Sequence, residues 1–376
     1  MRILCVTATY TPSINGVAIS LKLLKSEIES MRHEFIVITP KHKNQVIEPN
    51  VYRLTSFPNF FQKDYPIPLP IIPPHSLKKF KTGFDIVFFH HPFGIAKLAL
   101  YLAKHNHCPS VFFYHSRYDE VIKNYLNSEN LIKTVPRIMD SIVKSIINKS
   151  NHIISETQSI KDVLVKNQIK TPITVISTSR ASMYISTPKS ILRKKYSLPK
   201  NKTILLCVSR LSKEKNLDFL VKAHDQQKNN NTILLMVGDG PEANYLKNIS
   251  SINTIFLGSV PFEKMSEIYS LSDIFVFPSK TETQGIVVLE AMSAGLPIIA
   301  FNAPGPKDFV ANNQHGLLAN TNDEFLSNLK LIFSNKNMIK VLGNNAKKES
   351  EKYTLSRTAK TTIQLFKTVI HDFKNN

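Results

Sequence analysis

Short apolar runs recur along the chain, each followed by a polar loop and then by a segment of helical periodicity. Residues 2–9, 35–39, 85–89, 110–114, 152–155 and 173–177 read as strands in the first half, and 203–209, 232–237, 254–257 and 274–277 in the second. They are short, rich in Val, Ile and Phe, and almost continuously apolar, the pattern of strands buried on both faces of a parallel sheet. Helical spacing follows in residues 17–31, 95–105, 131–149, 157–167, 217–226 and 356–376, and in the segment from Ile286 to Met292 that Gly295 and Pro297 stop. Strand and helix alternating in this way predict an α/β fold, and 376 residues suit two domains with a core each. The boundary falls at 178/179, with 356–376 as a final helix. One stretch breaks the pattern. Residues 57–74 carry Phe57, Phe60, Phe61, Tyr65, Ile67, Leu69, Ile71 and Ile72, but five prolines between Pro66 and Pro74 preclude a regular element.

No apolar run reaches the roughly 18–20 residues of a spanning helix. Met1-Arg2-Ile3-Leu4 runs straight into a strand without a signal-peptide pattern, so the expected location is the cytoplasm. Cys5, Cys108 and Cys207 are odd in number and far apart, which predicts buried free thiols in place of disulfide or metal ligands. Charge adds more. The net value is +20, and residues 131–200 alone hold 13 Lys and Arg against 3 Asp and Glu. Such an excess points to nucleic acid or an anionic membrane surface, although a Lys-rich genome bias explains it equally. The basic face of 131–149, and the apolar stretch 57–74 closed by Lys78, Lys79 and Lys81, each suit an interfacial anchor or ordinary packing.

Candidate chemistry concentrates in residues 278–300, P-S-K-T-E-T-Q-G-I-V-V-L-E-A-M-S-A-G-L-P-I-I-A. Glu282 lies on the loop at the mouth of the helix. Glu290 falls inside the helix among Val288, Leu289 and Ala291, where an ionised carboxylate is costly unless paired. Gln284-Gly285 lies where free backbone N–H groups open the helix, a site for an anion. A carboxylate for sugar hydroxyls, a helix N-terminus for phosphate and a buried carboxylate for ribose together describe a nucleotide-sugar site. Two glutamates at this spacing also fit a solvated helix face.

Arg210 and Lys215, five apart on a strand-to-helix loop, can converge on a diphosphate or remain solvated. Between the first strand and helix, Pro12 to Gly16-Val17 forms either a phosphate-cradling loop or a plain βα turn, without the G-x-G-x-x-G fingerprint. His115 ends a strand at the carboxyl edge of a parallel sheet, where function concentrates, and His91 is a weaker candidate of the same kind. Gly238-Asp239-Gly240-Pro241 and Gly258-Ser259-Val260 are turns whose glycines allow close backbone approach.

The string E-T-Q-G-I-V-V-L-E-A-M-S-A-G-L-P closely resembles the donor-site motif of the family 4 retaining glycosyltransferases of GT-B fold. R-L-x-x-E-K-N-x-D from Arg210, P-x-x-x-G-V from Pro12, and Y-H-S at Tyr114 followed by R-Y-D-E-x-x-x-x-Y are similar to further family elements, so the resemblance spans residues 1 to about 370. It implies two Rossmann-like domains facing across a cleft. Residues 1–178 would bind the acceptor and 179–355 the nucleotide sugar, with 356–376 crossing back to the first domain. It further implies that Glu290 holds the ribose, that Glu282 faces the transferred sugar, and that Arg210 and Lys215 meet the diphosphate. Gly285, Ile286 and Val287 would line the donor, Gly238, Gly258 and Val260 the base, and Gly16 the donor phosphates and acceptor. His115 would lie beside the reacting sugar. The N-terminal half looks most like bacterial diacylglycerol α-glucosyltransferases and phosphatidylinositol mannosyltransferases. One departure is Ser177-Thr178-Ser179-Arg180, which has neither Gly nor Pro where the family begins its linker with a Pro-x-Gly turn.

No D-x-D motif occurs, so neither a metal nor a cofactor is expected. Arg210, Lys215 and the helix N-terminus at Gly285 would then neutralise the leaving diphosphate, and the family implies a front-face retaining mechanism. The expected reaction moves a hexose, from UDP-glucose, to a lipid acceptor such as diacylglycerol at the inner face of the cell membrane. A saccharide or polymer acceptor is the alternative. A basic nucleic-acid-binding protein rests on charge alone, since RNP strings, zinc spacings and helix-turn-helix signals are missing, so no nucleic acid partner is expected. A catalytically dead scaffold is disfavoured because Arg210, Lys215, Glu282 and Glu290 are all present.

Overall fold

The computed structural model describes residues 1–13, 15–57, 67–68, 77–123, 126, 128–178 and 183–375. The chain forms two compact units. The first comprises Met1–Asp119, Asn130–Arg180 and Leu355–Asn376, and the second Glu120–Glu129 and Ala181–Thr354.

The first unit holds seven parallel strands. They are β1 (Arg2–Val6), β2 (Glu34–Pro40), β3 (Val51–Leu54), β6 (Ile86–Phe89), β7 (Ser110–Tyr114), β8 (His152–Ser155) and β9 (Ile173–Val175), in the order β3-β2-β1-β6-β7-β8-β9. β1 is central, pairing Ile3–Val6 with both Phe35–Ile38 and Ile86–Phe89. Its residues Ile3 to Val6 are fully buried because helices cover both faces of the sheet. Helix α1 (Gly16–Ser30) lies on one face together with the last helix, Leu355–Asn375, whose Ala359, Ile363 and Phe366 join Leu21, Leu24 and Phe88 in one apolar cluster. Helix α2 (Ile95–His105) buries Ile95, Ala96, Ala99 and Leu102 in the cluster that contains Val87 and Phe89.

The second unit repeats the plan with six parallel strands. They are β10 (Thr203–Val208), β11 (Thr232–Val237), β12 (Thr254–Gly258), β13 (Ile274–Phe277), β14 (Ile298–Phe301) and β15 (Gly316–Ala319), ordered β12-β11-β10-β13-β14-β15. In each sheet the order reverses once, between β1 and β6 and again between β10 and β13. Loops leaving the carboxyl ends of strands at such a reversal diverge to opposite faces and leave a crevice, the usual ligand position in doubly wound sheets.

Several elements differ from the sequence expectation. β1 stops at Val6, and just beyond it the Thr7 hydroxyl donates to the Thr9 carbonyl at 2.9 Å. Val51–Leu54, unassigned in the sequence, is an edge strand beside β2, and its half-exposed V-Y-R-L pattern carries little periodic signal. The stretch read as irregular contains one short antiparallel pair, β4 (Ser56–Phe57) with β5 (Ile67–Pro68). Its Phe60, Phe61, Tyr65, Leu69, Ile71 and Ile72, like Ser179 and Arg180 of the unusual linker, lie outside the described residues.

The basic segment 131–200 is also divided. Lys189, Arg193, Lys194 and Lys195 fall in the second unit. There Arg193 is buried, donates to the Leu271, Lys200 and Lys202 carbonyls, and pairs with Asp273 at 2.5 Å. Lys189 also reaches Asp273 and Lys195 reaches Glu267. All three are paired with carboxylates of the same unit, Arg193 in its interior and Lys189 and Lys195 at its surface. Cys5, Cys108 and Cys207 are buried free thiols.

Candidate active site

The chain reversal between β10 and β13 brings two sequence-distant loops into contact. After β10, the residues Arg210 to Asn216 end in a short 3-10 turn, Lys213–Lys215, and Asn216 takes a left-handed conformation that starts helix Leu217–Gln226. After β13 comes the loop Pro278 to Gly285. Side-chain bonds join the two. Asn216 Nδ2 donates to the Pro278 carbonyl at 3.2 Å, Thr281 Oγ1 donates to the Glu214 carbonyl at 3.2 Å, and Lys215 Nζ meets Glu282 Oε1 at 2.6 Å.

Ser279 Oγ donates to the same Glu282 oxygen at 2.6 Å, so the carboxylate is held from two sides. The Lys215 and Glu282 side chains are 23% and 11% exposed, enough shielding for the attraction to count. Burial acts to lower the Lys215 pKa, but the charge and hydrogen bond of Glu282 outweigh it and raise the value, so the ammonium is charged throughout the neutral range. Arg210 is exposed on the same loop, and its like charge acts against Lys215 protonation.

Gly285, at φ 68°, is the left-handed residue from which helix Ile286–Ser293 starts, and a Cβ there would lie 3.6 Å from Glu282 Cγ. Ile286 and Val287 are half-buried on its first turn, and Val287 and Val260 pack against the core cluster under β13. Glu290, 3% exposed, accepts a hydrogen bond from Tyr269 Oη at 2.6 Å. Tyr269 is fully buried on helix Phe262–Leu271. The partner that a carboxylate at this depth requires is therefore a phenol twenty-one residues earlier on another helix. Gly305, φ 89°, is a second unanticipated component. A Cβ there would come within 2.9 Å of Glu282 Cβ, so only glycine lets the 304–306 turn back the loop.

The two glycine turns meet, since Gly238 N–H donates to the Gly258 carbonyl at 2.9 Å. Gly238 is required for a reason internal to the protein: a Cβ at this position would overlap the Ser209 carbonyl oxygen at 1.9 Å. Gly258, φ 69°, has nothing within 4 Å of where a Cβ would be.

In the first unit the loops after β1, β6, β7 and β8 carry the candidates. Gly16 is exposed and opens α1, which Asn15 caps by accepting from Ala18 N–H at 2.9 Å. His115 is held at both ring nitrogens, with Nδ1 at 2.8 Å from Glu156 Oε1 and Nε2 at 2.7 Å from His90 Nδ1. The His90 and His115 rings stack at 4.9 Å and 6°. His91 Nδ1 accepts from Ala8 N–H at 3.1 Å. Burial, then the neighbouring His115, pushes His91 down to about 3. Burial with His115 and His91 holds His90 well below the ordinary histidine range, so both are neutral at physiological pH. His115 was legible in the sequence, but Glu156 and His90 were not. Each sits one residue beyond a strand, and only the parallel order β6-β7-β8 aligns the three.

Two parallel sheets of this order, each with polar side chains at the carboxyl ends of its strands, are the arrangement of the GT-B fold. Two family models match the chain, "Glycosyltransferase Family 4" over residues 14–179 and "Glycosyl transferases group 1" over residues 188–349. The protein belongs to glycosyltransferase family 4 and is a retaining hexosyltransferase. It is 28% identical to the alpha-monoglucosyldiacylglycerol synthase of Acholeplasma laidlawii, across 100% of this chain and 98% of that one. It is also 28% identical to the enzyme of the same name from Streptococcus pneumoniae, across 85% of this chain and 75% of that one. Among solved structures, sucrose-phosphate synthase from Thermosynechococcus elongatus superimposes with a TM-score of 0.78 at 19% identity, covering 99% of this chain and 100% of the other, which shows the shared fold.

Proposed function

We propose that the protein transfers glucose from UDP-glucose, with retention, to the hydroxyl of a membrane lipid such as diacylglycerol. The observation that carries the donor half is the cluster of Lys215, Glu282 and Ser279 beside the first turn of the helix that bears Glu290. In this reading Glu290, oriented by Tyr269, accepts the ribose hydroxyls, and Glu282 accepts hydroxyls of the transferred sugar. Lys215, Arg210 and the N–H groups at Gly285 to Val287 take up charge as the sugar C1–phosphate bond breaks. Gly238, Gly258 and Val260 border the base, and Gly16 lets the first loop approach phosphate and acceptor. The acceptor oxygen bonds to C1 on the face the diphosphate leaves, and its proton passes to the departing phosphate oxygen. His115 orients the sugar. Residues 1–178 bind the acceptor and 179–355 the donor.

The lipid acceptor is supported by the full-length similarity to alpha-monoglucosyldiacylglycerol synthase. It is supported independently by helix Glu129–Ile147, where Leu131, Ile138 and Ile142 are 48%, 54% and 42% exposed. These positions recur at helical spacing on one face, with Lys133 and Arg137 also exposed on the helix. No helix among the described residues is long and apolar enough to cross a membrane, so the contact with an anionic inner-leaflet surface is peripheral. Each basic residue at such a surface contributes about 1 kcal/mol. In sedimentation with vesicles, binding is expected to rise with anionic lipid and fall with salt, and Ile138→Glu with Ile142→Glu to abolish it. Protein remaining in the supernatant with anionic vesicles at low salt would remove the lipid acceptor and leave a soluble saccharide in its place.

A further inference from the structure

We propose that Glu156 and His90 are positioning residues for His115, the three side chains forming one hydrogen-bonded relay across the ends of β6, β7 and β8. It rests on the placement of His115 beside the reacting sugar. An ionised carboxylate can only accept, so Glu156 Oε1 requires a proton on His115 Nδ1. Nε2 of His115 and Nδ1 of His90, 2.7 Å apart, are bridged by one proton, which the relay places on His90 Nδ1. This fixes the His90 tautomer in turn and leaves its Nε2 a bare acceptor. That atom is buried and without a protein partner among the described residues. His90 and His115 line a cavity of about 10 Å³, roughly one water, with Ser20, Thr178 and Thr358 also in its wall.

One protonation choice at Glu156 thus sets the tautomers of two imidazoles and the orientation of the stacked pair. The local backbone does not depend on the Glu156 side chain. Its carbonyl accepts from Ser177 Oγ at 2.8 Å, and Thr157 caps the following helix through Ile160 N–H. His91, neutral and bonded to Ala8, is a further titratable neighbour of the pair. α1 and the last helix contribute Val17, Ser20, Leu21, Leu24, Leu355 and Thr358 to the cavity wall, none of them titratable.

The test is long-range 1H–15N correlation on the full chain labelled at histidine, read from pH 6 to 8. Both His115 and His90 are expected in the Nδ1–H form, and Glu156→Ala is expected to release His115 to the Nε2–H form or a mixture. In the transferase assay Glu156→Ala should lower kcat about 10- to 100-fold with a smaller change in donor KM, as a displaced orienting group does. Glu156→Gln, whose amide oxygen can still accept from His115 Nδ1, should recover part of the lost kcat. A His115 imidazolium or Nε2–H form in the unmodified protein overturns the relay, whatever the substrate. Correct tautomers in the unmodified protein with unchanged kcat in Glu156→Ala overturn the positioning role. Full activity in His115→Ala removes the placement of His115 at the sugar.

Discussion

Lys215→Ala is expected to lower kcat about 100- to 1000-fold, the range seen when a preorganised charge-stabilising donor is removed from an active site. The change in donor KM should be several times smaller, because charge on the leaving diphosphate develops as the bond to C1 breaks and is lower in the bound sugar nucleotide. Two features of the site amplify the effect. Lys215 is held by a protein carboxylate, Glu282 at 2.6 Å, which fixes the ammonium on its turn. Its removal also leaves the Glu282 carboxylate, 11% exposed, with Ser279 but without its cation. That uncompensated charge would repel the diphosphate. Lys215→Arg should recover only part of the rate, since a planar guanidinium does not reproduce a point charge on this turn. Steady-state kinetics with purified variants of verified fold decide it. A loss confined to KM would place Lys215 in ground-state binding and away from the leaving group.

The second large effect is at Glu290. Glu290→Ala should weaken binding of the nucleotide by about 1.5–3 kcal/mol, the cost of hydrogen bonds to a charged group. The same substitution removes the hydrogen bond that the fully buried Tyr269 hydroxyl donates to Glu290, which costs roughly 1–3 kcal/mol of stability on its own. Alanine alone therefore confounds two losses. Glu290→Gln keeps an acceptor for Tyr269 and separates them: thermal stability should return, while nucleotide affinity stays reduced because the charge is gone. Tyr269→Phe should loosen the carboxylate and weaken affinity by a smaller amount, about 0.5–1.5 kcal/mol. Calorimetric titration with UDP checks all three. Unchanged affinity in Glu290→Gln and Glu290→Ala would remove the ribose assignment.

How much of this was legible in the sequence depends on whether the signal was local. Strands such as Ile274–Phe277 and the helix stopped by Gly295 announce themselves through apolar runs and breakers. The edge strand Val51–Leu54 does not, because a half-covered strand has no continuous apolar run. Glu290 was legible as a carboxylate in need of a partner, but nothing in the sequence selects Tyr269, which reaches it from another helix. Lys215 and Glu282 were both visible, yet their mutual bond was not. The reading aimed one at phosphate and the other at sugar, and only the pairing of β10 with β13 shows their loops in contact. Gly238 was read as a concession to a ligand, whereas the Ser209 carbonyl already forbids a side chain there. The charge excess misled in the opposite direction. Part of it, Arg193 above all, is structural, a distinction that needs burial and not composition.

The central claim is that Lys215, Glu282 and Glu290 serve the retaining transfer of glucose to a lipid hydroxyl. The most direct measurement is NMR of the product formed from UDP-[13C]glucose and diacylglycerol in anionic vesicles. The account predicts an α-linked monoglucosyl lipid, formed by the unmodified protein and nearly absent with Lys215→Ala. A β-linked product, or glucose transferred only to a water-soluble saccharide, would contradict it.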